Sequence, residues 1–218
     1  MRVVFMGTPD FSVGTLEAIA AAGHEIAGVV TQPDKQKGRG KQVQPTPVKE
    51  AALRLGLPVY QPAKVRDPEF LEVLRELAPD VIVVVAFGQI IPQAILDLPK
   101  YGWVNVHASL LPPYRGPAPI QWAVINGEAE SGVTTMRMDA GLDTGDMLLK
   151  TVVPLDPDET AGSLFDKLSS AGAKLLVETL EKLEQGTIVP EKQPEESTTE
   201  YARMIRMAVG MIVWIRPA

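Results

Sequence analysis

The chain has no cysteine, which excludes disulfides, thiolate nucleophiles and cysteine-ligated zinc at once. It has two histidines, too few for an all-histidine site, so no metal centre is expected. Any chemistry must rest on His, Asp, Asn and backbone groups. No apolar run reaches the roughly 18 residues that a spanning helix needs, and the N-terminus runs straight into a strand pattern without a signal-peptide layout. The expected protein is cytoplasmic, with no membrane partner. Positive charge is in deficit as well: 21 Lys and Arg face 27 Asp and Glu. The resulting net charge of −6 argues against a globally basic nucleic-acid binder but leaves room for a local basic patch. What is present is 218 residues, 45% of them apolar and 22% charged, enough for one α/β domain with a sizeable core and a tail.

Strand and helix patterns alternate through the first half. Arg2 to Met6 is a short apolar run ending at Gly7-Thr8-Pro9-Asp10; Val13, Leu16, Ile19 and Ala20 then recur at helical spacing up to Gly23. Glu25 to Val30 gives a second strand, Val59 and Tyr60 a brief one, and Thr46-Pro47 and Asp67-Pro68 each supply an N-cap and first helical position. Asp80 to Phe87, DVIVVVAF, is nearly all β-branched and apolar, as a parallel strand buried on both faces requires, and marks the sheet centre. A short helix is expected around Pro92 to Leu98 and another over Pro117 to Asn126. Strands are expected over Val133 to Met138 and Met147 to Val153, and the longest helix between Thr160 and Gly186. Together these predict an α/β fold, a Rossmann-like open, mostly parallel sheet with helices on both faces and right-handed crossovers. Ligands in such sheets bind beyond the carboxyl ends of the strands, so the loops after Met6, Val30, Phe87, Val106 and Met138 are expected to share one cleft.

The stretch Gly102 to Gly116, GWVNVHASLLPPYRG, organises the rest. As a strand, its period of two points Asn105 and His107 to one side, just before a loop stiffened by consecutive prolines. An amide beside an imidazole at a strand end can donate hydrogen bonds to a developing oxyanion. Asp143, in Gly141-Leu142-Asp143-Thr144-Gly145-Asp146, is ordinary turn chemistry unless its loop faces His107, where the carboxylate could relay a proton through water. The Gly7 turn lacks a GxGxxG fingerprint and no Walker A sequence occurs, so a nucleotide cofactor is not indicated. Asp34 to Lys41, DKQKGRGK, gathers Lys35, Lys37, Arg39 and Lys41 on permissive glycines, either a solvated loop or a contact for nucleic-acid phosphates.

Taken in order, Gly7-Thr8-Pro9-Asp10-Phe11, Gln32-Pro33-Asp34 with Gly38-Arg39-Gly40-Lys41, Asn105-Val106-His107-Ala108-Ser109-Leu110-Leu111-Pro112 with Tyr114-Arg115-Gly116, and Gly141 to Asp146 resemble the methionyl-tRNA formyltransferases, within the wider 10-formyltetrahydrofolate-dependent formyltransferase family. The resemblance runs to about residue 203. It implies the formyltransferase fold and transfer of a formyl group from 10-formyltetrahydrofolate to the α-amine of methionyl-tRNA for translation initiation, without a metal. It implies Asn105, His107 and Asp143 as the catalytic trio, with Asn105 and His107 holding the formyl oxygen and Asp143 orienting and charging His107 and helping to carry the amine proton away. Ser109, Leu110, Leu111 and Pro112 match the folate-binding signature, and Phe87, Gly88 and Asp139 on neighbouring strand-end loops are expected to join it. Lys35, Lys37, Arg39 and Lys41 would meet the acceptor arm of the tRNA. Residues 1–186 are read as the catalytic domain, acting as a monomer, and 187–218 as an exit segment toward a C-terminal β-barrel-like domain absent from this chain. The alternatives are a formyltransferase acting on a small amine, of the glycinamide ribonucleotide or amino-sugar type, or a folate- or RNA-binding module without turnover. One stretch departs from the family: Met204 to Ile215 carries Met207, Ala208, Val209 and Ile212-Val213-Trp214 where relatives carry Lys, Glu and an Ile-Asp-Trp triplet.

Overall fold

In the computed structural model, which describes residues 1–206, the first strand β1 (Arg2–Gly7) lies inside a seven-stranded sheet. On one side it pairs in parallel with β2 (Glu25–Val30), which pairs with β5 (Val59–Tyr60). On the other it pairs in parallel with β6 (Val81–Val85), followed by β7 (Trp103–His107). Two antiparallel strands, β8 (Glu130–Arg137) and β9 (Met147–Pro154), complete the order β5-β2-β1-β6-β7-β8-β9. All five residues of β6 are buried, as its β-branched sequence requires of a strand covered on both faces. The chain runs outward from β1 in one direction and restarts beside it in the other, so the topological switch point falls between β1 and β6.

Side chains alternate across the sheet and build one apolar cluster on each face. Val104 and Val106 point to the face covered by α1 (Asp10–Ala21), α2 (Pro47–Arg54), α4 (Pro119–Ile125) and α5 (Ala161–Gln185). Trp103 points to the opposite face, with Phe70 and Leu74 of α3 (Pro68–Leu77). Asn105 and His107 share Trp103's parity in β7. The leucine stripe of α5 includes Leu164, Leu168, Leu176 and Leu180, all fully buried, and truncating one of them to alanine would cost about 2–5 kcal/mol. Thr160 caps this helix in a reciprocal pair with Ser163, and Gly186 closes it at φ 70°.

Three elements differ from expectation. The helix around Pro92 to Leu98 is only a 3₁₀ turn, Gln93–Ile95, with Pro92 at its N-cap and Leu96 at its C-cap. Asp67 stands at the N-cap of α3, but its side chain makes no capping bond. The basic stretch is an exposed antiparallel hairpin, β3 (Lys35–Lys37) with β4 (Gln42–Gln44), rather than an irregular loop. Of the divergent stretch Met204 to Ile215, residues from 207 onward lie outside the described residues.

Candidate active site

A cleft of about 390 Å³ opens at the carboxyl ends of β6 and β7, beside the switch point. Asn105, His107 and Asp143, distant in sequence, all line it. Pro9 and Phe11 enter from the turn after β1, Ala86 from the end of β6, Gln121 from α4 and Phe165 from α5.

The imidazole of His107 is buried, 7% exposed, with a partner at each nitrogen. Nε2 lies 2.9 Å from the carbonyl oxygen of Tyr114. A carbonyl only accepts, so Nε2 carries a hydrogen in either charge state of the ring. Nδ1 is the nitrogen left free of the Tyr114 bond, and it faces Oδ2 of Asp143 at 3.7 Å. That distance is an ion-pair contact and too long for a direct hydrogen bond. The same oxygen accepts the backbone N–H of Gly116 at 2.9 Å. The loop leaving β7 thus holds the imidazole with one carbonyl and its partner carboxylate with one N–H.

Gly116 has φ 120°, and a Cβ there would stand 2.9 Å from the carbonyl oxygen of Ala202, so only glycine fits the crossing. The amide of Asn105 donates to the carbonyl of Val84 at 3.2 Å, which pins its Nδ2 and leaves a second N–H and the Oδ1 unspent. Tyr201 closes the cleft from the C-terminal side; burial, and then the charge of Asp143, push its hydroxyl above the usual phenol range.

The other expected residues divide. Phe87 is buried, and its carbonyl accepts from Thr8 Oγ1 at 3.0 Å and Gln32 Nε2 at 3.2 Å. Gly88 follows at φ 88°. Asp139 folds its carboxylate onto Gly141 N and Thr144 Oγ1, shaping the loop that presents Asp143. Ser109 to Pro112 do not line the cleft. Ser109 and Leu111 are buried, with Ser109 Oγ donating to the Pro113 carbonyl and Leu111 N donating to Thr134 Oγ1. Lys35 and Lys37 line a separate hollow of about 200 Å³ with Gln32, Gln44 and Thr46, and Arg39 and Lys41 project from the hairpin turn. Pro9 borders both this hollow and the cleft, so the two adjoin. Among contributors not expected from sequence are the Tyr114 carbonyl, the Gly116 N–H and Tyr201. Tyr114-Arg115-Gly116 stood in a motif without a role, and Tyr201 lies in a stretch that composition marks as a connector.

The formyl transferase family model matches residues 1–180. The chain belongs to that family. Methionyl-tRNA formyltransferase of Agathobacter rectalis is 63% identical over 218 residues, covering all of this chain and 70% of the relative. Methionyl-tRNA formyltransferase of Citrifermentans bemidjiense is 57% identical over 218 residues, covering all of this chain and 68% of the relative. Among solved structures, a phosphoribosylglycinamide formyltransferase from Anaplasma phagocytophilum superposes with a TM-score of 0.73 at 22% identity, covering 94% of this chain and 99% of that one. An N-formyltransferase from Helicobacter canadensis, in complex with folinic acid and dTDP-3-aminofucose, gives 0.70 at 23%, covering 93% and 71%. At these identities the solved structures speak for the shared formyl transferase fold alone. No helix among the described residues is long and apolar enough to cross a membrane.

Proposed function

We propose that this chain is a formyl-transferring enzyme that moves the formyl group of 10-formyltetrahydrofolate to the α-amine of methionyl-tRNA. The observation that carries the chemistry is the meeting of Asn105, His107 and Asp143 in one cleft at the switch point of the sheet. The acceptor is inferred from the two relatives at 57% and 63% identity, both methionyl-tRNA formyltransferases. The basic hairpin beside the cleft suits the acceptor arm of a tRNA, since four exposed cations on one projection can follow a phosphate backbone. The catalytic domain is read as residues 1–186, closed by Gly186 after α5, with the following residues as an exit segment that folds back to place Tyr201 on the cleft.

In this reading the amine nitrogen bonds to the formyl carbon, and the formyl oxygen takes on negative charge. Asn105 meets that oxygen with its unspent N–H, and His107 in its imidazolium form does so through Nδ1–H, because Nε2 is held by Tyr114. Asp143 orients the imidazole, accepts the amine proton through water, and returns it to the departing folate nitrogen as the carbon–nitrogen bond breaks. These groups are positioned before substrate arrives, which spares reorganisation during the step.

The test is to incubate the protein with formyl donor and methionyl-tRNA and to look for formylmethionyl-tRNA. Activity on a ribonucleotide amine or a nucleotide amino-sugar in place of methionyl-tRNA would overturn the acceptor.

A further inference from the structure

We infer that Gln193, outside the part of the chain that matches the family model, is a positioning residue for Asp143. The inference rests on the catalytic reading of Asp143 given above. Gln193 is 5% exposed and stands between two loops of the cleft. Its Nε2 donates to the carbonyl oxygens of Asp143 at 2.9 Å and Gly145 at 2.8 Å. Its Oε1 accepts from Arg115 Nε at 3.1 Å and Nη2 at 3.0 Å. Both N–H groups of the amide are spent on carbonyls, and both lone pairs of its oxygen face a guanidinium. Turning the amide over would set oxygen against oxygen and N–H against N–H, so its orientation is determined.

The loop needs such a tie. Asp143 has φ 56°, a left-handed conformation that residues with side chains adopt rarely, and its neighbour Leu142 is 63% exposed, so little burial fixes the turn. Arg115 is itself 5% exposed and also donates to the carbonyls of Pro194 at 2.7 Å and Glu195 at 3.2 Å. It directly precedes Gly116, whose N–H holds the Asp143 carboxylate. Gln193 therefore links the backbone of the Asp143 loop to the loop that grips its side chain. Breaking the link frees the carboxylate to leave the 3.7 Å contact with His107.

The experiment exploits the two histidines of the chain. With ¹⁵N-labelled histidine, the imidazole signals of His107 report the Asp143 contact and those of His24 serve as an internal reference. Gln193→Ala removes the whole link. Gln193→Glu keeps a partner for Arg115 but replaces the N–H donors with an oxygen facing the Asp143 and Gly145 carbonyls, so it tests the loop tie even if the alanine variant does not fold. Both variants are expected to move the His107 signals and leave those of His24 in place. They are expected to lower kcat for formyl transfer by on the order of tenfold to a hundredfold, with KM for the donor little changed, because misplacement by about 1 Å acts on the chemical step.

Trp122→Phe cuts another tie of the same segment, the Nε1–H bond to the Arg203 carbonyl at 2.7 Å, and should move neither readout. Unmoved His107 signals in both Gln193 variants, or an equal effect from Trp122→Phe, would overturn the inference. Asp143→Asn separates the two claims. If it moves the His107 signals without slowing turnover, the catalytic reading of Asp143 falls while the positioning link still answers to the signals.

Discussion

Nδ1 of His107 and Oδ2 of Asp143 stand 3.7 Å apart, each held from behind by the same loop, through the Tyr114 carbonyl on one side and the Gly116 N–H on the other. The pair is therefore preset in orientation at ion-pair distance, without a direct hydrogen bond between the two atoms. Asp143→Asn keeps an acceptor for the Gly116 N–H and removes only the charge. Its kcat for formyl transfer should fall by about 10²- to 10⁴-fold, the usual range for losing a general acid–base group, while folate binding persists. Equilibrium binding of the donor, measured beside single-turnover rates, checks both halves.

On the proposed mechanism, Asn105→Ala removes one donor to the developing oxyanion. The expected loss is about 10²- to 10³-fold in the chemical step. The same change leaves the Val84 carbonyl without its side-chain partner, a net hydrogen bond of about 0.5–1.5 kcal/mol, so a small drop in stability should accompany it. Thermal unfolding alongside the rate separates the two. A rate that follows stability alone would return Asn105 to a purely structural role.

The sheet was legible because its signals are local. Five β-branched residues in β6, the capping threonine before α5 and the glycine after it each act through backbone preferences that need no knowledge of the fold. The nearness of Asn105 and His107 was legible for a related reason, their shared strand parity, whereas Asp143 read as ordinary turn chemistry and joined them only through the family resemblance; the structure brings all three to one cleft. What stayed hidden were contacts made by the backbone and by chain crossings. Nothing in the letters of Tyr114 tells that its carbonyl, not its phenol, meets His107. Gln193 and Tyr201 lie among Pro, Glu and Thr residues that read as a connector, yet Gln193 is buried against Arg115, and Ala202, 2% exposed, pairs with the backbone of Arg115 and Ala118. The segment folds back onto the buried Arg115, whose guanidinium gives it four hydrogen bonds, two to the Gln193 amide oxygen and one each to the Pro194 and Glu195 carbonyls.

Gly116→Ala tests that crossing. The added Cβ would meet the Ala202 carbonyl at 2.9 Å and the Tyr201 ring at 3.0 Å, at a φ of 120° that disfavours any side chain. Destabilisation of about 1–3 kcal/mol is expected from the backbone strain alone. Because the Gly116 N–H also holds Asp143, turnover should fall further than the loss of folded protein explains. Chemical denaturation sets the first quantity, and activity normalised to folded protein gives the second. Equal losses in both would mean that the Gly116 contact does not position Asp143.

The hairpin of Lys35, Lys37, Arg39 and Lys41 is anchored at its root by Asp34, whose carboxylate accepts from Lys49 Nζ at 2.8 Å and Gln61 Nε2 at 2.7 Å. The Lys49 bond, and then the Gln61 bond, hold the Asp34 carboxyl below its ordinary value of 3.8. A depressed carboxyl favours the folded root wherever it is ionised, so the anchor is fully present above the ordinary value and is lost as pH falls through the depressed one. Between about pH 5 and 8 this group should make no difference to the pH dependence of tRNA binding. Asp34→Asn imposes the uncharged state at neutral pH and should speed amide exchange across β3 and β4, weakening tRNA binding. Neutralising the four cations should act differently. Every phosphate the hairpin no longer neutralises makes the slope of log K against log salt shallower by about 0.7–0.9, whereas Asp34→Asn should reduce affinity by loosening a hairpin whose charges remain. Measuring the slope for both variants therefore separates charge from anchoring, and an unchanged slope in the neutralised variant would mean that the hairpin does not touch phosphate.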